Sequence, residues 1–113
     1  SGGRTVVRPW LGARLQNVTQ ELARSMGLAR PEGVLVTELY PRAAGDRAGL
    51  AQGDVIVSVA GAEIRDEAGL RYQFATQRPG DRVALEILRG GSRRTLNAAA
   101  EGPKAYASMP RAP

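Results

Sequence analysis

The sequence predicts an α+β domain built on a small, mostly antiparallel sheet with two or three short helices. Three observations predict it. Apolar, β-branched runs recur between Gly, Pro and Asp residues, as strands with at least one buried face require. Short capped helical patterns fall between those runs. Near the end of the chain, Gly90-Gly91 separates two stretches that can pair as a hairpin. The 113 residues, 42% hydrophobic and 24% charged, allow one domain with a single modest core.

Taken in order, residues 11–15 alternate weakly and read as a first strand. Thr19 can cap a helix reaching Met26, with Glu21 and Leu22 inside it and Gly27 as its stop. Residues 33–37 form a second strand, and a short helix from Arg42 to Ala48 follows Pro41 and ends at Gly49. Residues 54–59 carry the β-branched Val55, Ile56, Val57 and Val59 of a strand with at least one buried face. Asp66 then caps the longest helix, with the acids Asp66 and Glu67 at its positive end and Pro79-Gly80 stopping it near Arg78. On it Leu70 and Phe74, four residues apart, share a face with Arg71 beside them. Residues 82–89 alternate with period two, placing Val83, Leu85 and Ile87 on one side, and residues 94–98 return beside them. From Gly102 the patterning stops. Residues 1–4 read as a linker or cloning remnant, 5–101 as the domain and 102–113 as a flexible tail.

Composition closes several functional classes. With no cysteine and no histidine, the chain has no disulfide, no thiolate nucleophile, no imidazole metal cluster and no histidine general base. Glu63, Asp66 and Glu67 are the closest carboxylates and are better placed to start a helix than to form an active site. No run of 18 apolar residues is present, so no helix is long and apolar enough to span a membrane. The net charge of +5 comes almost wholly from arginine. Only Arg93 and Arg94 are adjacent and the five aromatics are scattered, unlike the concentrated basic stripe of a nucleic-acid surface.

The segment Ala48-Gly49-Leu50-Ala51-Gln52-Gly53-Asp54-Val55-Ile56-Val57-Ser58-Val59-Ala60-Gly61 resembles the AGL-x-x-GD-x-I-x-x-V-x-G core of PDZ domains. Gly49 and Gly53 permit tight turns, Leu50 plugs the sheet and the valines supply the strand. Arg8-Pro9-Trp10-Leu11-Gly12-Ala13 is similar to the segment that opens the PDZ domains of Deg/HtrA-type serine proteases. Pro41-Arg42-Ala43-Ala44 stands where Ser-Pro is usual at the last two positions, and Ala13 where Val or Ile is usual. The resemblance covers about residues 5 to 100 and implies a PDZ-like, partly open β-barrel or sandwich with the permuted strand order of bacterial protease PDZ domains.

It also implies a function. PDZ domains take up extended peptides, usually C-termini, as an added strand. An open sheet edge supplies unpaired N–H and C=O groups, and successive amides near a glycine form a concavity for a carboxylate. By resemblance, the carboxylate donors are the amides of Leu11, Gly12 and Ala13, and residues Ala13, Arg14 and Leu15 pair with the ligand. Arg71 and Phe74 face the groove, with Leu70 behind. Phe74 serves as pocket wall or as core, and Trp10 as pocket or as support for the loop. Arg8, Arg14 and Arg71 favour acidic residues upstream of an apolar last residue and make binding salt-sensitive. The resemblance implies no cofactor, metal or nucleic acid, and no membrane insertion. It implies as a further partner the serine protease domain of an envelope protein, which carries the catalysis that this chain lacks. The alternatives are an adaptor or assembly module of a secretion or intramembrane-protease system, and self-association through the tail from Tyr106 to Pro113.

Overall fold

Val55, Ile56 and Val57 are apolar in succession because the strand they form is covered on both faces, and this arrangement organises the molecule. The structure is a computed structural model that describes residues 11–78 and 80–100. In chain order the elements are β1 (Ala13–Asn17), α1 (Gln20–Ser25), β2 (Val34–Leu39), α2 (Ala44–Ala48), β3 (Val55–Val59), β4 (Ala62–Glu63), α3 (Glu67–Ala75), β5 (Arg82–Arg89) and β6 (Ser92–Ala99). The strands form one sheet in the order β1-β2-β3-β5-β6, with β4 paired to β3. Every pairing is antiparallel, and β1 and β6 end the sheet without closing it.

Two apolar layers hold the sheet. On one face Ile56, Val59, Val83, Leu85 and Ile87 pack with Leu70 and Phe74 of α3. On the other, Val55 meets Val18 and Ala23, with Leu22, Met26, Val57 and Leu88 against them. Val55 and Ile56 therefore serve opposite layers, as alternation along a strand requires. Thr19 caps α1 by accepting from the Leu22 amide at 3.1 Å, and Asp66 caps α3 by accepting from the Gly69 amide at 2.9 Å.

Several boundaries differ from the sequence expectation, each for a local reason. The first strand starts at Ala13 because Leu11 and Gly12 form a turn, Gly12 at φ +67°. The second helix starts at Ala44 because Arg42 adopts φ +65° and Ala43 is extended. Ala43 has no side chain to cap that helix; instead Asp46 reaches back to accept from the Arg42 amide at 2.8 Å. The third helix ends at Ala75, and the Arg78 amide donates to the Asp81 carboxylate at 3.1 Å to begin the turn into β5. Strand β4, two residues long, is too short to show alternation and was not expected. Pro79 and the segments 1–10 and 101–113, with the linker and tail assignments, lie outside the described residues.

Candidate functional site

Among the described residues, strand β1 has a partner on one side only. The Gly12 carbonyl accepts from the Tyr40 amide at 2.9 Å and the Val18 amide donates to the Gly33 carbonyl at 3.2 Å. The Arg14 carbonyl accepts from the Thr37 hydroxyl at 3.2 Å, at the register shift between Arg14 and Leu15. These even-numbered residues turn their backbone toward β2. Alternation leaves the N–H and C=O groups of Ala13 and Leu15 directed to the open edge.

Helix α3 contacts both β1 and β3, and its Leu70 and Phe74 share a core with Ala13 and Leu15 of β1. Leu11 and Leu70 are fully buried, Ala13 and Phe74 nearly so, and Leu15 is half-buried against the same core. Phe74 is thus a core residue in this structure, at the boundary between the core and the β1 edge. Arg71, next to Leu70, is exposed and meets no carboxylate among the described residues. Arg14 is exposed and faces Glu38 at 3.4 Å, so a nearby carboxylate offsets its charge. Arg8 and Trp10 lie outside the described residues.

At the start of β1 the Leu11 carbonyl accepts from the Gly45 amide at 2.9 Å. The Leu11 and Gly12 carbonyls are therefore held inside the fold, and among the described residues neither amide meets an acceptor. Gly45 was missed by the sequence reading. A Cβ on it would lie 3.0 Å from the Leu11 oxygen and 3.1 Å from Leu50, so only glycine lets α2 approach the loop this closely.

The other end of β1 is fastened to α3. The Asn17 side-chain oxygen accepts from the Glu67 amide at 2.7 Å. The Gly33 amide donates to the Arg65 carbonyl at 3.0 Å, just before the Asp66 cap. Asn17 was likewise missed, because nothing local marks an asparagine whose partner lies 50 residues away.

Two further features lie away from this edge. A depression of about 410 Å³ opens on the α1 side of the sheet, between Leu28, Val57 and Leu88. The charges around it largely answer one another, Glu86 with Arg93 at 3.6 Å and Glu32 with Arg30 at 3.9 Å. Asp54 is buried and accepts from the Ala51 amide and, through both oxygens, from Nε and a terminal nitrogen of Arg89, each at 2.8 Å. The same arginine donates to the Gly49 carbonyl, so the α2–β3 turn is pinned to β5. The hydrogen bond to Asp54 raises the Arg89 pKa above its ordinary value.

Comparison with known proteins agrees with this geometry. Residues 9–99 match the family described as PDZ domain. A probable periplasmic serine endoprotease, DegP-like, from Rhizobium meliloti (strain 1021) is 37% identical over 93 residues, covering 82% of this chain and 18% of the relative. A protein of the same name from Pseudomonas fulva (strain 12-X) is 42% identical over 94 residues, covering 83% and 20%. The chain thus spans about a fifth of the length of these relatives. Among solved structures, the HtrA-type protease AlgW with decapeptide superposes at a TM-score of 0.72, with 32% identity over 92% of this chain and 30% of that one. The HtrA3 PDZ domain bound to a phage-derived ligand (FGRWV) superposes at 0.69, with 28% identity over 80% and 83%.

Proposed function

Because this chain belongs to the PDZ domain family, we propose that it captures peptides by adding them as a strand along the open edge of β1, with the ligand carboxylate held by the amides of Leu11, Gly12 and Ala13. The observation that carries this reading is the pairing of an unpartnered strand edge with a turn whose carbonyls are tied inward. An incoming strand gains main-chain hydrogen bonds from Ala13 and Leu15 and places alternate side chains against α3. The apolar boundary of Leu11, Leu15, Leu70 and Phe74 favours an apolar last residue. Arg71 is the cation positioned to attract acidic upstream residues. Arg8 and Trp10 precede the loop in sequence, and the resemblance assigns them added charge and pocket or loop support.

In this reading the parent protein is a periplasmic serine endoprotease, as its relatives are named, and this domain is its substrate-recognition and regulatory part. Structural neighbours solved with a decapeptide and with a phage-derived ligand support peptide capture. The test is a titration of the domain with one labelled peptide ending in an apolar residue, as the free acid and as the C-terminal amide. The free acid should bind at least about tenfold more tightly, since a charge-assisted hydrogen-bond set is lost with the amide. Equal affinity would remove the carboxylate from the mechanism.

A further inference from the structure

We propose that Asn17 is a positioning residue for peptide binding, its side chain setting the width of the cleft between β1 and α3 at the end where the upstream part of the ligand leaves. This rests on the strand-addition reading above and extends it to a side chain whose hydrogen bond goes to the helix.

The two walls of the cleft are anchored differently at their two ends. At the loop end, β1 is tied away from α3: Leu11 is bonded to Gly45 and Gly12 to Tyr40. The far end of α3 leads into a turn that is bonded to Asp81, ahead of β5. Along its length α3 meets the core by apolar packing of Leu70 and Phe74, which is non-directional and fixes no spacing by itself. At the Asn17 end a directional bond of 2.7 Å joins strand to helix.

The bond is also a cap. Glu67 is the first residue of α3, and its amide is one of the helix's orphan donors. Asp66 answers the Gly69 amide from the cap position, whereas the Glu67 amide is answered from the strand. Helix start and strand end are held together a second time through Gly33, which accepts from Val18 and donates to Arg65. A Cβ on Gly33 would lie 2.8 Å from the Val55 side chain, at a backbone φ of +107°, so this junction requires a glycine.

A ligand whose carboxylate sits at Leu11–Ala13 and runs antiparallel to β1 passes Leu15 and reaches Asn17 about four residues upstream. It needs a slot about 4.8 Å from β1 to form ladder bonds. A helix fastened at Asn17 holds that slot open at a fixed width before the ligand arrives, so less ordering is required on binding.

The test uses the domain with a labelled six-residue peptide ending in an apolar residue, followed by anisotropy and by stopped-flow dissociation. Asn17→Ala removes the acceptor, and Asn17→Asp keeps an oxygen for the Glu67 amide. Glu67→Pro removes the donor at a first-turn position where proline suits the helix. Asn17→Ala and Glu67→Pro should each weaken binding by about tenfold, mainly through faster dissociation. The double variant should be no weaker than either single one, and Asn17→Asp should bind within about threefold of the original. Unchanged binding by Asn17→Ala, additive losses in the double variant, or a loss in Asn17→Asp equal to that in Asn17→Ala would each overturn the assignment. If the unaltered domain binds no peptide, the strand-addition reading fails first and takes this inference with it. Amide exchange at position 67, protected in the original and in Asn17→Asp but not in Asn17→Ala, separates a broken latch from a domain that has failed to fold.

Discussion

Single residues set the geometry of the peptide edge, and the most informative is a glycine that carries no chemistry. Gly45 brings α2 against the Leu11 carbonyl, and the oxygen, being backbone, cannot move aside cheaply for a methyl group. Gly45→Ala should destabilise the domain by about 1–3 kcal/mol through overpacking and weaken peptide binding beyond that, since the displaced Leu11 is one of the proposed carboxylate donors. Urea unfolding and peptide titration on the same variant check both parts. Asp54 illustrates the opposite kind of residue, one whose polarity is wholly consumed. Its carboxylate accepts three hydrogen bonds, and the Arg89 pKa is raised by the pair. A cation whose pKa rises on folding stabilises the fold fully below its ordinary value and loses that contribution only as the pH climbs through the raised one. For an arginine that window lies beyond the working range. The Gly-Asp pair was legible in the sequence as part of a family signature, but its partner, 35 residues on, was not, because sequence pattern carries no information about which distant arginine reaches a given carboxylate.

At the level of elements, the strands with regular alternation were readable and the irregular joins were not. The strand expected at 82–89 is β5 as observed, because eight residues of period two with a Gly-Gly turn admit one reading. Thr19 and Asp66 cap their helices as their residue types suggest. The start of β1 was misjudged by two residues, because Leu11 and Ala13 are both buried and burial pattern alone does not separate a turn from a strand. The latch from Asn17 to α3 was invisible for the same reason as Asp54 to Arg89. Helix α3 has nine residues and an internal glycine, so its intrinsic stability is low and its caps matter. Asp66→Ala should therefore cost about 1 kcal/mol, read as a lower denaturation midpoint with an unchanged slope. If α3 frays as a result, peptide affinity should fall alongside stability.

For the whole molecule, the missing histidine becomes a statement about regulation. The chain holds no histidine, the side chain whose unperturbed pKa lies near neutrality, and a ligand α-carboxylate is ionised well below it. Peptide affinity should thus be flat between about pH 5 and pH 9 while falling with added salt, because Arg71 acts through solvent. An anisotropy series across pH and then across salt checks this, and a marked pH step would mean that a group outside the β1 edge controls the cleft. The two ends of the sheet are not equivalent. Among the described residues, β1 has no strand on its outer side, while the outer strand β6 opens with Ser92, Arg93, Arg94 and Thr95, all exposed. Charged side chains of that kind blunt a strand edge against pairing. A sheet receptive at both ends could hand each added strand on to the next molecule and grow without limit as a fibre. On the proposed reading, one receptive end and one guarded end let the domain bind extended chains, the material from which aggregates are made, without becoming the seed of one.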